Sequence, residues 1–233
     1  MLLSILIPTY NEKKTILKLL QLINYQKKKI NLEILICDDG SNDFTHEILV
    51  KNNTMYDVLL TNKKNMGKGN AIKNLIKIAK GDIILIQDAD LEYNPGDYLR
   101  LIEPIILKKC NVVYGSRVLG KPGRYKNNKF TSMFRVLGNH LLTIISNKIN
   151  NQNLTDAHTC YKVFNKDIFK KLSLEHDDFS FCPEVTTKIA KLGEKILEVP
   201  ISYSGRGFHE GKKIGYRDFF IAIYSLIKFK LKR

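Results

Sequence analysis

Short uninterrupted apolar runs alternate along the chain with segments whose apolar residues recur every three or four positions. Leu2–Ile7, Leu32–Cys37, Asp57–Leu60, Ile83–Ile86 and Asn111–Tyr114 have the first character. Runs this short and rich in Ile, Leu and Val predict strands buried on both faces of a sheet. Between them the spacing predicts helices. One follows Asn11, read as its N-cap, with Ile16, Leu20 and Ile23 on one stripe; the others cover Phe44–Val50, Gly67–Lys80 and Pro95 to about Lys109. Strands alternating with helices predict an α/β fold with a mainly parallel sheet covered on both faces. The second half is less regular: helices near Asp167–Leu172 and Glu184–Leu192, a strand at Lys195–Tyr203, and two apolar segments with basic interruptions, 130–149 and 215–233. With no repeat, linker or composition shift, one domain over 1–233 is expected, its C-terminal segment 215–233 an elaboration.

In a parallel sheet, ligands bind beyond the carboxyl ends of the strands. The polar clusters fall there: Thr9–Glu12 after the first strand, Asp38–Asp43 after the second, Gln87–Asp90 after the fourth and Gly115–Arg117 after the fifth. Pattern alone therefore places a site at one end of the sheet.

Charge narrows the partners. The 233 residues carry 38 Lys and Arg against 23 Asp and Glu, a net +15, which favours polyanions: nucleic acid, an anionic membrane face or phosphorylated substrates. The aromatics are not interleaved with basic residues as a stacking platform needs, so no nucleic-acid partner is expected. Cys37, Cys110, Cys160 and Cys182 are scattered without metal-ligand spacing and read as small buried thiols in a reducing compartment. Met1–Tyr10 lacks the basic start of a signal peptide, and no apolar run reaches the ~18–20 residues that cross a bilayer. The segment 215–233 is either an ordinary amphipathic core helix or one lying in an anionic membrane interface.

Asp88, Asp90 and Glu92 put three carboxylates within five residues. In an extended segment, residues two apart share a face, and convergent carboxylates repel unless a cation neutralises them. A solvated acidic turn is the simpler reading, but acidic residues concentrated at one strand end of a basic protein tip the balance to metal. Oxygen-only ligands favour Mg²⁺ or Mn²⁺ completed by substrate phosphates. Asp38-Asp39-Gly40-Ser41 is either a turn or an acceptor for a base or ribose. Gly67-Lys68-Gly69 lacks the spacing of a phosphate loop or a dinucleotide fingerprint; it either approaches a phosphate or packs tightly. Arg117 and the run from Gly205 to Lys213 offer cations on flexible backbone, as a lid over phosphates does. None of the five histidines has a nucleophile context, and none is assigned to catalysis.

Taken together, Ile7–Glu12, Asp38–Ser41, Asn65–Gly69, Gln87–Leu91, Tyr114–Arg117 and Glu198–Tyr203 resemble, in order and spacing, the motifs of family 2 glycosyltransferases. The similarity is to the polyprenyl-phosphate branch, which includes dolichyl-phosphate mannose synthase, and runs from about Leu3 to Gly215. It implies a GT-A fold, a nucleotide-sugar donor such as GDP-mannose or UDP-glucose, a divalent metal (Mg²⁺ or Mn²⁺) and inversion at the anomeric carbon. By position, Pro8, Tyr10, Glu12, Cys37 and Asp39 match residues holding the nucleoside. Asp88, Ala89 and Asp90 match the segment binding metal and diphosphate, with Glu92 at a further ligand position. Arg117, Arg206 and Lys212 match basic residues around the phosphates, giving Asp90, Arg117, Arg206 and Lys212 as catalytic candidates. The expected acceptor is a polyprenyl phosphate (dolichyl or undecaprenyl), with the protein peripheral on the cytoplasmic membrane face. The alternatives are the same fold acting on a glycan hydroxyl, and a basic nucleotide- or nucleic-acid-binding protein without turnover.

Overall fold

The computed structural model describes residues 1–119, 131–178, 180–205 and 216–232. Its strands are β1 (Leu3–Thr9), β2 (Leu32–Asp38), β3 (Val58–Thr61), β4 (Ile83–Ile86), β5 (Val112–Ser116), β6 (Lys162–Asn165) and β7 (Ile196–Pro200). The helices are α1 (Ile16–Gln26), α2 (Thr45–Lys51), α3 (Lys68–Ile78), α4 (Tyr98–Ile106), α5 (Thr131–Asn150), α6 (Lys166–Lys170), α7 (Phe181–Lys191) and α8 (Tyr216–Leu231). All seven strands form one sheet in the order β3-β2-β1-β4-β6-β5-β7. It is parallel except for β6, which runs antiparallel to both β4 and β5. The chain winds outward from β1 to β2 and β3, then returns to set β4 on the other side of β1, so the strand order reverses between β1 and β4. Such a reversal opens a crevice at the carboxyl ends, where open α/β sheets hold ligands.

Strand burial follows from the apolar runs: β2 and β4 are buried throughout. One face carries Ile5, Ile7, Ile34, Ile36 and Leu85 against Ile16, Leu20 and Ile23 of α1 and Leu101, Ile102 and Ile105 of α4. The opposite face carries Leu6, Leu35, Cys37 and Ile84 against Ala71, Ile72 and Leu75 of α3 and Val185 and Ile189 of α7. Alternate residues of each strand thus feed opposite cores.

Two local expectations need correction. Asn11 does not cap α1: it sits at φ 55, its Oδ1 accepts from the Asn42 N–H at 2.9 Å, and the helix starts at Ile16, whose N–H donates to the Glu12 carbonyl. β6 was not foreseen, because it begins with a lysine. The Lys162 side chain is fully buried; its Nζ donates to the Ala157 and Thr159 carbonyls (3.1 and 2.7 Å) and lies 3.8 Å from the centroid of the Tyr114 ring. Burial pulls its ammonium below the ordinary lysine range, and among the described residues no carboxylate forms a salt bridge with it. Of the cysteines only Cys37 is fully buried, the others being half-buried.

α8 buries one side and exposes the other. Ala222, Ser225, Leu226 and Phe229 are buried where the helix packs on α5 and α7. Phe220, Tyr224, Ile227 and Leu231 recur every three or four residues on the other side and are exposed. α5 repeats the arrangement with exposed Leu137, Leu141 and Ile144. Among the described residues, no helix is long and apolar enough to cross a membrane.

Candidate active site

The crevice is bounded by the ends of β1, β2 and β4. At the end of β1 the Tyr10 side chain is exposed, and the Glu12 carboxylate accepts the Thr15 hydroxyl at 2.7 Å. At the end of β2 the two aspartates diverge. Asp38 is buried, accepting from the Ser41 N–H (3.2 Å) and lying 3.0 Å from His46 Nδ1. Asp39 accepts from Asn62 Nδ2 (2.7 Å), Met66 N–H (2.9 Å) and Gly67 N–H (2.7 Å). It thus supplies, from a neighbouring strand, the cap that α3 lacks in its own sequence. Cys37 turns its thiol into the core; burial, with Asp39 and Asp38 adding, pushes it up to about 12. Any contact it makes to a ligand is through its backbone, beside its half-buried ladder partner Pro8.

In Gly67-Lys68-Gly69 the two glycines pack tightly. Gly67 has φ 97, and a Cβ on it would lie 2.3 Å from the Asp177 carbonyl oxygen; one on Gly69 would lie 2.3 Å from the His176 carbonyl. Between them Lys68 extends across the crevice mouth to pair with Asp88, its side chain only 10% exposed. Nζ also lies 3.5 Å from Cys160 Sγ. Burial lowers the ammonium's proton affinity, but Asp88, with Cys160 and Cys182, outweighs it and holds Lys68 well above the ordinary lysine range.

Beyond β4 the backbone is held by Gln87, whose amide Nε2 donates to the Asp88 carbonyl (2.9 Å) while its Oε1 accepts the hydroxyls of Tyr98 (2.8 Å) and Tyr161 (2.7 Å). The chain then turns at Ala89–Asp90, and Leu91 takes φ 61. The alternation expected of an extended segment is therefore broken, which corrects the three-carboxylate convergence. Asp90 Oδ1 accepts the Glu92 N–H at 3.1 Å, whereas the Glu92 side chain turns inward to accept the Tyr203 hydroxyl at 2.7 Å. Among the described residues, no three His, Cys, Asp or Glu side chains are grouped to hold a metal ion. Two carboxylates, Asp88 and Asp90, remain at the turn. Such a donor set suits a hard divalent cation whose shell is completed by phosphate oxygens and water, as Mg²⁺ usually is.

The remaining wall is the strap Leu154–Tyr161, which leads into β6. Arg117 and Asp156 form a bidentate pair (Nε–Oδ2 2.6 Å, Nη2–Oδ1 2.7 Å), and the guanidinium lies 5.2 Å from the Tyr203 ring centroid. Glu198 accepts the Thr155 and Asp156 N–H groups at 2.6 and 2.9 Å. Tyr93 accepts the Cys160 N–H at 3.0 Å. Arg206 and Lys212 lie outside the described residues.

This crevice, with an Asp-x-Asp turn at the strand reversal, coincides with a family match: the sequence profile of glycosyl transferase family 2 matches residues 4–173. The chain belongs to that family. A dolichyl-phosphate beta-glucosyltransferase of Trichomonas vaginalis is 31% identical over 218 residues, covering 87% of this chain and 65% of its own length. A dolichol-phosphate mannosyltransferase of Pyrococcus furiosus is 29% identical over 231 residues, covering 97% and 64%. The chain thus spans slightly under two thirds of these relatives. Among solved structures, glucosyl-3-phosphoglycerate synthase from Mycobacterium tuberculosis, in complex with Mn²⁺, UDP-glucose and phosphoglyceric acid, superposes with a TM-score of 0.70 at 15% identity, covering 98% of this chain and 79% of that one. The GT-A fold implied by the motifs is thus the fold observed. The structure adds Lys68 and Gln87, which lie within motifs but were not named as site residues, and Asp156 and Lys162, which lie outside them, to the site region. Lys68 and Gln87 lie in segments singled out by sequence, where the glycines beside Lys68 and the aspartates beside Gln87 drew attention instead.

Proposed function

We propose that this family 2 protein is a metal-dependent inverting glycosyltransferase, one catalytic domain that moves a hexose from a nucleotide sugar to a polyprenyl phosphate. The carrying observation is the Asp88–Asp90 turn at the β1/β4 reversal, beside the carboxyl end of β2. Relatives named for dolichyl- and dolichol-phosphate transfer support the acceptor, and a neighbour holding Mn²⁺ with UDP-glucose supports the donor and metal. In this reading Pro8, Tyr10, Glu12, Cys37 and Asp39 face the nucleoside, and the Asp88–Asp90 turn faces the diphosphate. When bound there, a divalent ion supplies Lewis-acid stabilisation of the negative charge that builds on the departing nucleoside diphosphate.

The acceptor phosphate oxygen bonds to the anomeric carbon from the face opposite the diphosphate. The carbon–oxygen bond to the diphosphate breaks, and its electron pair leaves with the nucleoside diphosphate. A phosphate monoester has its second pKa near 6, so its oxygen is largely ionised at neutral pH and needs no general base. A glycan hydroxyl acceptor needs one. Among the described residues, three carboxylates near the Asp88–Asp90 turn are already engaged: Glu92 by Tyr203, Asp156 by Arg117 and Glu198 by the strap. That favours the phosphate acceptor. The test is transfer by the purified chain from GDP-mannose and from UDP-glucose, each with Mn²⁺ or Mg²⁺, with and without a short polyprenyl phosphate. Metal-dependent transfer from one donor, only with the lipid present, is the expected result. Donor turnover indifferent to the lipid transfers the case to a hydroxyl acceptor.

A lipid acceptor requires the protein at a membrane, and α8 with α5 offers the contact. The exposed stripe Phe220, Tyr224, Ile227 and Leu231 is flanked by Lys228 and Lys230, the composition of a helix seated in an anionic interface. Each such lysine contributes about 1 kcal/mol near an anionic surface. The double variant Lys228→Gln/Lys230→Gln is therefore expected to weaken partition onto phosphatidylglycerol vesicles by about thirtyfold at low salt. Unchanged partition in a sedimentation assay removes this face from the reading.

A further inference from the structure

Gln87 stands immediately before the Asp88–Asp90 turn, and the proposed chemistry gives its side chain no role. It is fully buried, although an amide is costly to bury unless its polar atoms are paired. Here they are. Nε2 donates to the Asp88 carbonyl at 2.9 Å. Oε1 fills both of its acceptor positions with hydroxyls, one from Tyr98 of α4 (2.8 Å) and one from Tyr161 at the end of the strap (2.7 Å). A backbone carbonyl only accepts, so the Asp88 contact fixes which end of the amide is nitrogen. Both tyrosines are themselves fully buried, with Tyr161 packed on the rings of Tyr93 and Tyr98 at centroid distances of 4.8 and 6.1 Å. The ladder between β1 and β4 runs to Ile86, and the Gln87 N–H still donates to the Leu6 carbonyl at 3.0 Å. Past that point the chain leaves the sheet, and the Gln87 side chain takes the Asp88 carbonyl.

Resting on the metal reading above, we infer that Gln87 is a positioning residue for the divalent ion: it sets the orientation in which the turn presents the Asp88 and Asp90 carboxylates. The carbonyl it holds belongs to the peptide that joins Asp88 to Ala89, inside the turn. Tilting that peptide moves one carboxylate relative to the other. Mg²⁺ demands near-ideal octahedral geometry, so a tilt is paid in affinity. The amide cannot tilt freely, because its other end is held by two hydroxyls from separate elements. The same side chain thereby joins the turn to α4 and to the strap that carries Asp156. Partners behind a metal's ligands are worth 10–100-fold in metal affinity as a rule.

The test is Mn²⁺ titration of the full chain followed by paramagnetic resonance, alone and with UDP or GDP, with a melting curve for each variant. Gln87→Met, which keeps the length of the side chain, is expected to weaken Mn²⁺ binding by at least about tenfold. It also strands two buried hydroxyls, so its melting temperature falls as well. The triple variant Gln87→Met/Tyr98→Phe/Tyr161→Phe removes those hydroxyls and separates the two effects. Replacing every partner of a buried network by apolar groups of similar shape is nearly neutral, so most of the melting temperature should return. The loss of Mn²⁺ affinity should remain, because the Asp88 carbonyl is still released. Recovery of Mn²⁺ affinity together with stability in the triple variant overturns the inference and leaves Gln87 a packing residue. Unchanged Mn²⁺ affinity in Gln87→Met overturns it too. A wild type that binds Mn²⁺ neither alone nor with either nucleotide refutes the metal reading itself, and Gln87's role with it.

Discussion

Asp90→Asn is expected to lose metal-dependent transfer on the order of 10³-fold while folding as the wild type does. The magnitude follows from the several kcal/mol by which a divalent ion stabilises transition-state charge, at about 1.4 kcal/mol per tenfold in rate. Asparagine is the informative replacement because Asp90 has a local structural duty as well: its Oδ1 accepts the Glu92 N–H at 3.1 Å, just past the strained Leu91 at φ 61. The amide oxygen of asparagine keeps that bond and removes only the charge. Alanine removes both, and any loss it causes confounds a broken turn with a missing ligand. The comparison needs transfer rates at saturating Mn²⁺ and a melting curve for each variant. An Asn variant within about tenfold of wild type would show that the carboxylate is not where the divalent ion acts.

How far the sequence carries depends on whether a residue's environment is local. The strands β1, β2, β4 and β5 were legible because a run buried on both faces shows no period at all, and the site was legible because polar clusters broke those runs at one end only. β6 was hidden: a four-residue strand led by a buried lysine looks polar until the carbonyls of Ala157 and Thr159 and the Tyr114 ring are known to receive it. The reach of Asp39 to Met66 and Gly67, and of Lys68 to Asp88, could not be read for a related reason. Each joins segments that only the sheet's winding order brings together. The convergence expected of Asp88, Asp90 and Glu92 assumes an extended segment, whereas the chain turns at Ala89–Asp90 and takes φ 61 at Leu91. Periodicity arguments assume a uniform backbone, and functional turns are where that assumption breaks.

The Arg117–Asp156 pair sets the second large expectation, and it concerns stability as much as chemistry. Asp156→Ala is expected to lower the melting temperature by about 10 °C. Breaking a buried pair costs about 3–5 kcal/mol because it strands the other charge, and a chain of this size loses about 2–4 °C per kcal/mol. Here the stranded group is the Arg117 guanidinium, whose side chain is 12% exposed and lies over the Tyr203 ring. The pH dependence has a definite sign. Burial pushes the Asp156 carboxyl up, but the charge and hydrogen bonds of Arg117 override it and hold the folded value below the usual aspartate range. A depressed folded pKa stabilises at every pH above the unfolded value of about 3.9, and the contribution is lost as pH falls through the folded value. The gap in melting temperature between wild type and Asp156→Ala should therefore be constant from about pH 8 to pH 5 and close below about pH 4. The double variant Arg117→Met/Asp156→Leu strands neither charge of the pair and is expected to regain most of the stability, as replaced ion pairs often do. It should not regain transfer, because the Arg117 backbone and side chain together hold Asp156, and with it the strap, at the carboxyl end of β5. Recovery of transfer along with stability would reduce the pair to a packing element, and a shift in the single variant below about 3 °C would mean that water already screens it.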